Sequence, residues 1–271
     1  MINKEKLRRR FSRNAKQYDK YANVQKKMGD YLVERVRGSE IEIKNVLEVG
    51  CGTGYVTKLL AELLPEAEIT AVDIAPGMID LVKGNLEGRK INFLCGDIEA
   101  MEIETKYDLI ISNATFQWFN ELDGTIAKLV NSLTEKGKIL FSTFGENTFN
   151  ELHSSFGKAK EALALEDSVS PGQGFFSLDA LRDVCTKSVD EKGCGVVTIH
   201  SDENYEYEKF DSCKEFLISV KKIGANKSDS SKSNATPEFI GKVMEIYDND
   251  YRDEENRVRA TYHNLFIEIA K

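Results

Sequence analysis

The chain predicts an α/β fold built on a mostly parallel sheet. Short runs rich in Val, Ile and Leu alternate with stretches of helical periodicity between residues 45 and 143, the pattern of strands covered on both faces. A turn with glycine at alternate positions, Gly50, Gly52 and Gly54, joins the first run to the first helix after it. Polar residues stand at or just past the ends of later runs, at Asp73, Asp97 and Asn113. Those ends are where parallel sheets place their ligands.

Composition narrows the class. The 271 residues are 41% apolar and 30% charged, which fits a globular protein with one large domain. No run is apolar enough to span a bilayer, and the N-terminus is polar and basic, so neither a membrane span nor a secretory leader is expected. Cysteines 51, 95, 185, 194 and 213 are scattered, odd in number and lack a C-x-x-C pair. A disulfide framework or zinc site is therefore not expected, metal ligands are none, and the cytoplasm is the expected compartment. The Asn-x-Ser/Thr matches at Asn113, Asn226 and Asn234 are then chance. Net charge is −8, yet residues 1–27 hold ten basic against two acidic residues, +8, which leaves −16 for the remainder. An acidic body argues against nucleic-acid binding. The basic arm fits either a solvated helix face or a local contact with an acidic partner.

Two helices are expected first, at 4–20 and 23–37. Phe11, Ala15 and Tyr18 share a face of the first; Val24, Met28, Tyr31, Leu32 and Val36 form a stripe on the second. Strands follow at 45–49, 68–73, 91–95, 107–112 and 137–143. Helices are expected at 54–64, 76–87 and 122–134, with a short helix or loop near 98–104. Pro76 suits a first helical turn and Gly137 suits the end of the helix before the fifth strand. Beyond Phe144 the alternation stops. Helices at 147–164, 177–187, 211–223 and 237–249 surround strands at 195–208 and 259–269, with Ser-Pro-Gly-Gln-Gly (170–174) as a linker and 226–234 as a polar loop. The organisation expected is one domain, 1–271: a helical arm at 1–38, a ligand-binding core at 39–146, and lid-forming helices at 147–190 and 211–252 around the last strands.

The chemistry centres on Val46-Leu-Glu-Val-Gly-Cys-Gly-Thr-Gly54. Glycine tolerates positive φ and lets a ligand lie against bare backbone. The dinucleotide fingerprint G-x-G-x-x-G wants glycine at position 55, where this chain has Tyr55. Asp73 lies about 20 residues past the turn, the distance from which an acid reaches ribose hydroxyls. With Glu48 before the glycines, this set resembles the class I S-adenosylmethionine-dependent methyltransferases. The resemblance implies their Rossmann-like fold, a seven-stranded, mostly parallel sheet with helices on both faces and a helical lid insertion. It implies S-adenosyl-L-methionine as cofactor. Asp97 would then accept the adenine amino group beside the backbone N–H of Ile98. Ile74 and Met78 would pack the adenine, Asp73 would hold the ribose, the turn Gly50, Gly52 and Gly54 would approach the methionine portion, Asn113 would stand where a backbone carbonyl holds that amino acid, and Glu48 would belong to the same cofactor site.

Further stretches narrow the resemblance: Arg10-Phe-Ser-Arg-Asn-Ala-Lys-Gln-Tyr-Asp19, Ser112-Asn-Ala-Thr-Phe-Gln-Trp118, Phe141-Ser-Thr-Phe-Gly145, Lys221-Lys-Ile-Gly-Ala225 and Thr261-Tyr-His-Asn-Leu-Phe266. They span almost the whole chain and are similar to the malonyl-[acyl-carrier protein] O-methyltransferases of biotin synthesis. Asn226-Lys227 and the Ser/Lys-rich loop after it depart from the family pattern. The resemblance implies methyl transfer to the free carboxylate of a malonyl thioester on acyl carrier protein or coenzyme A, by a monomer. Such a carboxylate is already ionised, so no general base is required, and no Ser–His–Asp or Cys–His set stands out. Lys221, with Lys222 beside it, is the expected cation for the carboxylate. Tyr18 is expected to close the site over the methyl group, and Phe116 and Trp118 to wall the pocket. His263 reads as a satisfied strand histidine, and the basic arm as a dock for the acidic carrier. The rival readings are a methyltransferase for another small carboxylate or a quinone-pathway substrate, and a cofactor-binding regulatory module without turnover.

Overall fold

The computed structural model describes residues 1–39, 41–86, 88–165, 172, 174–191, 197–224 and 236–271. Among them, seven strands form one sheet: β1 (Asn45–Val49), β2 (Glu68–Asp73), β3 (Ile91–Cys95), β4 (Tyr107–Ser112), β5 (Leu133–Phe144), β6 (Thr198–Phe210) and β7 (Val258–Ala270). The order is β3-β2-β1-β4-β5-β7-β6. β1 to β5 run parallel, and β7 runs antiparallel between β5 and β6. The chain steps outward from β1 to β3, then returns to place β4 on the other side of β1. That reversal opens a crevice at the carboxyl ends of β1 and β4.

Alternate side chains separate two cores. Val46, Leu109, Ile111 and Leu140 face one buried cluster with Val24, Met28 and Leu32 of α2 (Asn23–Arg37) and Leu60 of α3 (Tyr55–Leu63). Leu47, Val49, Ile110, Ile139 and Phe141 face the other, with Ile126 and Leu129 of α5 (Leu122–Asn131). The α4 helix (Pro76–Asn85) begins with proline as expected and packs Ile79 and Val82 near β2 and β3. The α1 helix (Lys4–Tyr21) lies across α4, close enough that a Cβ on Gly77 would meet the Ser12 carbonyl at 2.7 Å.

Two expectations change. Gly137 does not end a helix; it lies inside β5, which begins at Leu133. The β4–β5 register shifts between Tyr107 and Leu109. Glycine is needed there because a Cβ would sit 2.7 Å from the Tyr107 carbonyl oxygen. The second change concerns α7 (Leu178–Glu191), expected among the lid helices. It packs Leu181, Cys185 and Val189 into the α5 core, because its apolar stripe matches that sheet face. The helices near the crevice are α6 (Asn150–Ala162), α8 (Cys213–Lys222) and α9 (Pro237–Asp250), which share the opposite core. Residues 98–104 form turns without a helix. Most of the 170–174 linker and the 226–234 loop lie outside the described residues, as does Cys194.

Candidate functional site

The glycine turn leaves β1 through three residues of positive φ: Gly50 at 78°, Gly52 at 53° and Gly54 at 89°. Each serves differently. A Cβ on Gly50 would sit 2.1 Å from Thr115 Oγ1, and one on Gly54 would sit 2.2 Å from Val82 Cγ2. A Cβ on Gly52 would meet nothing within 4 Å. Gly50 and Gly52 border a cavity of ≈ 390 Å³ at the ends of β1 and β4. Gly54 does not. It caps α3 against α4, so its expected place at the ligand is corrected to a packing one.

Asp73, Glu48 and Asp97 stand at this end of the cavity and its side chamber. Asp73 is buried and accepts N–H bonds from Gly52 at 2.9 Å and Ala75 at 2.8 Å. Burial outweighs those donors and pushes its carboxyl up to about 6. Glu48 is buried with Oε2 unpartnered among the described residues, beside a side chamber of ≈ 40 Å³ shared with Gly50, Gly52 and Asn113. Burial, with the Asp73 charge adding, pushes it up to about 7. Asp97 lines the cavity and lies 3.4 Å from Lys4 Nζ, which also pairs with Glu99. Ile74, Met78 and Ile98 line the same end. Asn113 lines it too, its amide held between the Gln25 carbonyl at 2.8 Å and the Ser142 hydroxyl at 2.7 Å.

The N-terminal helix closes one side. Leu7, Phe11, Ala15 and Tyr18 fall on one face of α1, and all but Ala15 line the cavity. The helix end is tied to the glycine turn where Thr53 Oγ1 donates to Asp19 at 2.6 Å. Tyr18 is set among Phe11 and the acids; burial, then Asp73 and Asp19, hold its hydroxyl well above the usual tyrosine range. It stays protonated, so it can donate a hydrogen bond but not act as a base.

Farther in, the lining turns apolar: Phe144, Phe149, Leu152 and Phe156, then Val220 and Ile240. Trp118 lines the cavity as expected. Phe116 does not; it stacks on Phe141 at 3.9 Å in the opposite core, and Phe119 takes the lining position. Lys221 is also corrected. It is exposed, because α8 turns Leu217, Val220 and Ile223 inward and helical periodicity carries residue 221 off that face. Lys222 instead binds Gln17 at 2.8 Å. Lys221→Ala is accordingly expected to leave cofactor affinity and acceptor KM within about twofold of the wild type, the usual range for a surface change; steady-state kinetics check this. His263 is the satisfied strand histidine expected: buried, 2.9 Å from Glu203 and stacked on Tyr205. Lys4 and His153 also line the cavity but were not singled out from the sequence.

The groups around the turn fit an adenosyl sulfonium ligand. Glu48 sets a buried carboxylate beside the side chamber, Gly52 leaves open space over bare backbone, and Asp73 retains lone pairs beyond its two backbone hydrogen bonds. Among the described residues there is no cluster of His, Cys, Asp and Glu that could hold a metal ion, and no helix long and apolar enough to cross a membrane.

Sheet order, glycine turn and carboxylate set define a methyltransferase domain, and the family description "Methyltransferase domain" matches residues 46–137. Solved structures share the fold. The YcgJ protein from Bacillus subtilis superposes with a TM-score of 0.59 at 11% identity, over 89% of this chain and 98% of its own. The plantazolicin methyltransferase BpumL, in complex with a desmethylPZN analog and SAH, does so with 0.53 at 15% identity, over 99% and 96%. Sequence relatives go further. Malonyl-[acyl-carrier protein] O-methyltransferase of Priestia megaterium is 45% identical over 100% of this chain and 99% of its own length. That of Acetivibrio thermocellus is also 45% identical, over 100% and 95%. The chain belongs to the malonyl-[acyl-carrier protein] O-methyltransferase family.

Proposed function

We propose that this protein methylates the free carboxylate of a malonyl thioester carried on an acyl carrier protein, with S-adenosyl-L-methionine as cofactor. The observation that carries this reading is full-length identity of 45% to relatives of that name, together with a cavity whose acidic end suits the cofactor and whose far end is apolar. When bound, the cofactor supplies an activated methyl group on its sulfonium.

The residues position the reactants. Asp73 would hold the ribose, Asp97 and the Ile98 backbone would meet the adenine between Ile74 and Met78, and the Glu48 carboxylate would lie toward the cationic amino group. Gly50, Gly52 and Asn113 flank the methionine portion. The acceptor carboxylate is ionised near neutral pH, so the site needs alignment rather than a base. The Tyr18 hydroxyl closes the site as a donor. Helices α6, α8 and α9 act as the lid whose apolar inner face excludes water. Esterification removes the acceptor's charge, which favours product release.

The protein acts as a cytoplasmic monomer, and its basic arm docks the carrier. Arg9, Arg13, Lys16 and Lys20 recur at four-, three- and four-residue steps on the side of α1 opposite Leu7, Phe11, Ala15 and Tyr18. All four are exposed. Changing Arg9, Arg13 and Lys16 together to Glu is expected to raise KM for malonyl-carrier about tenfold or more while malonyl-coenzyme A changes little; equal effects on both would reject the dock. The reading as a whole is tested by mass spectrometry of malonyl-carrier protein incubated with enzyme and cofactor. One added methyl supports it; methylation of free diacids or phenols instead of the malonyl thioester overturns it.

A further inference from the structure

We infer that His153 receives the acceptor carboxylate, an inference that rests on the malonyl reading above. Phe149, Leu152, His153 and Phe156 follow one another at three-, one- and three-residue steps along the start of α6, and all border the cavity. Three are apolar. The fourth places an imidazole on the cavity's border, beside those apolar side chains and still open to solvent.

Two further observations single out this ring. Lys4 and His153 are the basic residues among the described cavity lining. Lys4 is committed to Asp97 and Glu99 at the adenine end. The His153 ring has no hydrogen bond or ion pair among the described residues. On α6 and the elements packed against it, Arg259 pairs with Glu151, Lys158 with Asp250 and Lys242 with Glu245, and the His263 ring lies against Glu203. An anionic acceptor entering the apolar half therefore meets one basic side chain of the described lining that is not already paired with an acid.

The chemistry suits the task. Partial burial against the cavity lining pulls the imidazole below its ordinary value, so it is a neutral donor when alone, and a carboxylate nearby restores its affinity for a proton. A permanent cation held tightly against the carboxylate would blunt its nucleophilicity. An imidazole offers an N–H and only a partial charge. The ester product carries no charge, so the ring's grip relaxes when the reaction is complete.

The test compares His153→Ala, His153→Gln and His153→Lys with wild type on malonyl-carrier protein, malonyl-coenzyme A and the N-acetylcysteamine thioester of malonate. The expected result is that Ala raises acceptor KM about tenfold on all three, with a smaller change in kcat. Gln, which keeps an N–H, and Lys, which restores charge, should each recover part of the loss. The S-adenosylhomocysteine dissociation constant should stay within about twofold of wild type. Unchanged KM on all three acceptors overturns the inference. So does a defect confined to the carrier and coenzyme A forms, because the ring would then read their phosphates, which the N-acetylcysteamine thioester lacks. An equal loss of cofactor affinity overturns it as well, by assigning the residue to packing. Failure of the wild-type enzyme to methylate any malonyl thioester would show itself first in the mass-spectrometric experiment, and would remove the function reading and this inference together.

Discussion

Asp73→Ala is expected to weaken S-adenosylmethionine binding by roughly 10- to 150-fold, the range that follows from losing charge-assisted hydrogen bonds of about 1.5–3 kcal/mol. The carboxylate does two things at once. It fixes the turn through the backbone N–H groups of Gly52 and Ala75, and on the proposed reading it keeps further lone pairs for the ribose hydroxyls. Alanine loses both functions, whereas Asp73→Asn keeps the shape but turns an amide N–H toward one of two backbone donors. Both variants should therefore lose affinity, with Asn the milder only if the turn tolerates that conflict. Loss of fold is a separable outcome. Asp73 is ionised at a cost, since burial holds its carboxyl up at about 6, so removing it takes away a desolvation penalty along with two hydrogen bonds. Circular dichroism and thermal unfolding of the unliganded variants should show a native sheet. Calorimetric titration giving an unchanged dissociation constant would remove Asp73 from the ribose.

The end of the cavity proposed for the cofactor was legible because its signals are local. Glu48, the glycines and Asp73 lie within 26 residues, and each is fixed by backbone chemistry that neighbouring residues announce. Positive φ at Gly50 and Gly52 and the strand ending in Asp73 followed from pattern alone. Gly50 and Gly54 show the limit of that reasoning: a Cβ at Gly50 would meet Thr115 and one at Gly54 would meet Val82, both distant in sequence, yet of the two only Gly50 also borders the cavity. Nothing in the local pattern distinguishes a glycine that faces a ligand from one that faces a valine.

The acceptor half was less legible, since helix rotation and pairing of distant elements decide it. Lys221 sits in a motif resembling the family, yet the apolar spacing of Leu217, Val220 and Ile223 already places it off the buried face. That signal was available and would have corrected the assignment. His153 carried a comparable one, a polar ring in the stripe Phe149, Leu152, Phe156. The Lys4 pairs with Asp97 and Glu99 had none, because they join residues more than 90 positions apart. The placement of α7 against α5 was equally hidden: an amphipathic stripe states that a helix is covered, not which face of the sheet covers it.

Cofactor affinity is expected to fall by about tenfold to a hundredfold as pH is lowered from 8 to 5.5, with the steepest loss beginning near 7. Glu48 and Asp73, held up at about 7 and about 6, are partly protonated in the unliganded protein at neutral pH. A ligand bearing cationic amino and sulfonium groups favours both carboxylates in their ionised form, so binding expels protons. At pH 6.5 the two values correspond to release of about one proton per cofactor, which calorimetry in buffers of different ionisation enthalpy reads directly. The sign for stability is the reverse. Both folded-state values lie above the unfolded ones, so the unliganded folded protein binds more protons than the unfolded chain between about pH 4 and 7. Its stability from these groups is greatest at the acid end of that window and declines as pH rises through 6 and 7. Saturating cofactor should cancel the decline, so the stabilisation it gives on thermal unfolding should grow from pH 5.5 to pH 8. Glu48→Gln separates the two groups. It should remove the limb near 7, leave the one near 6, and make unliganded stability less sensitive to pH. A dissociation constant that stays flat from pH 5.5 to 8, with no proton released, would mean that neither buried carboxylate faces the charge of the cofactor.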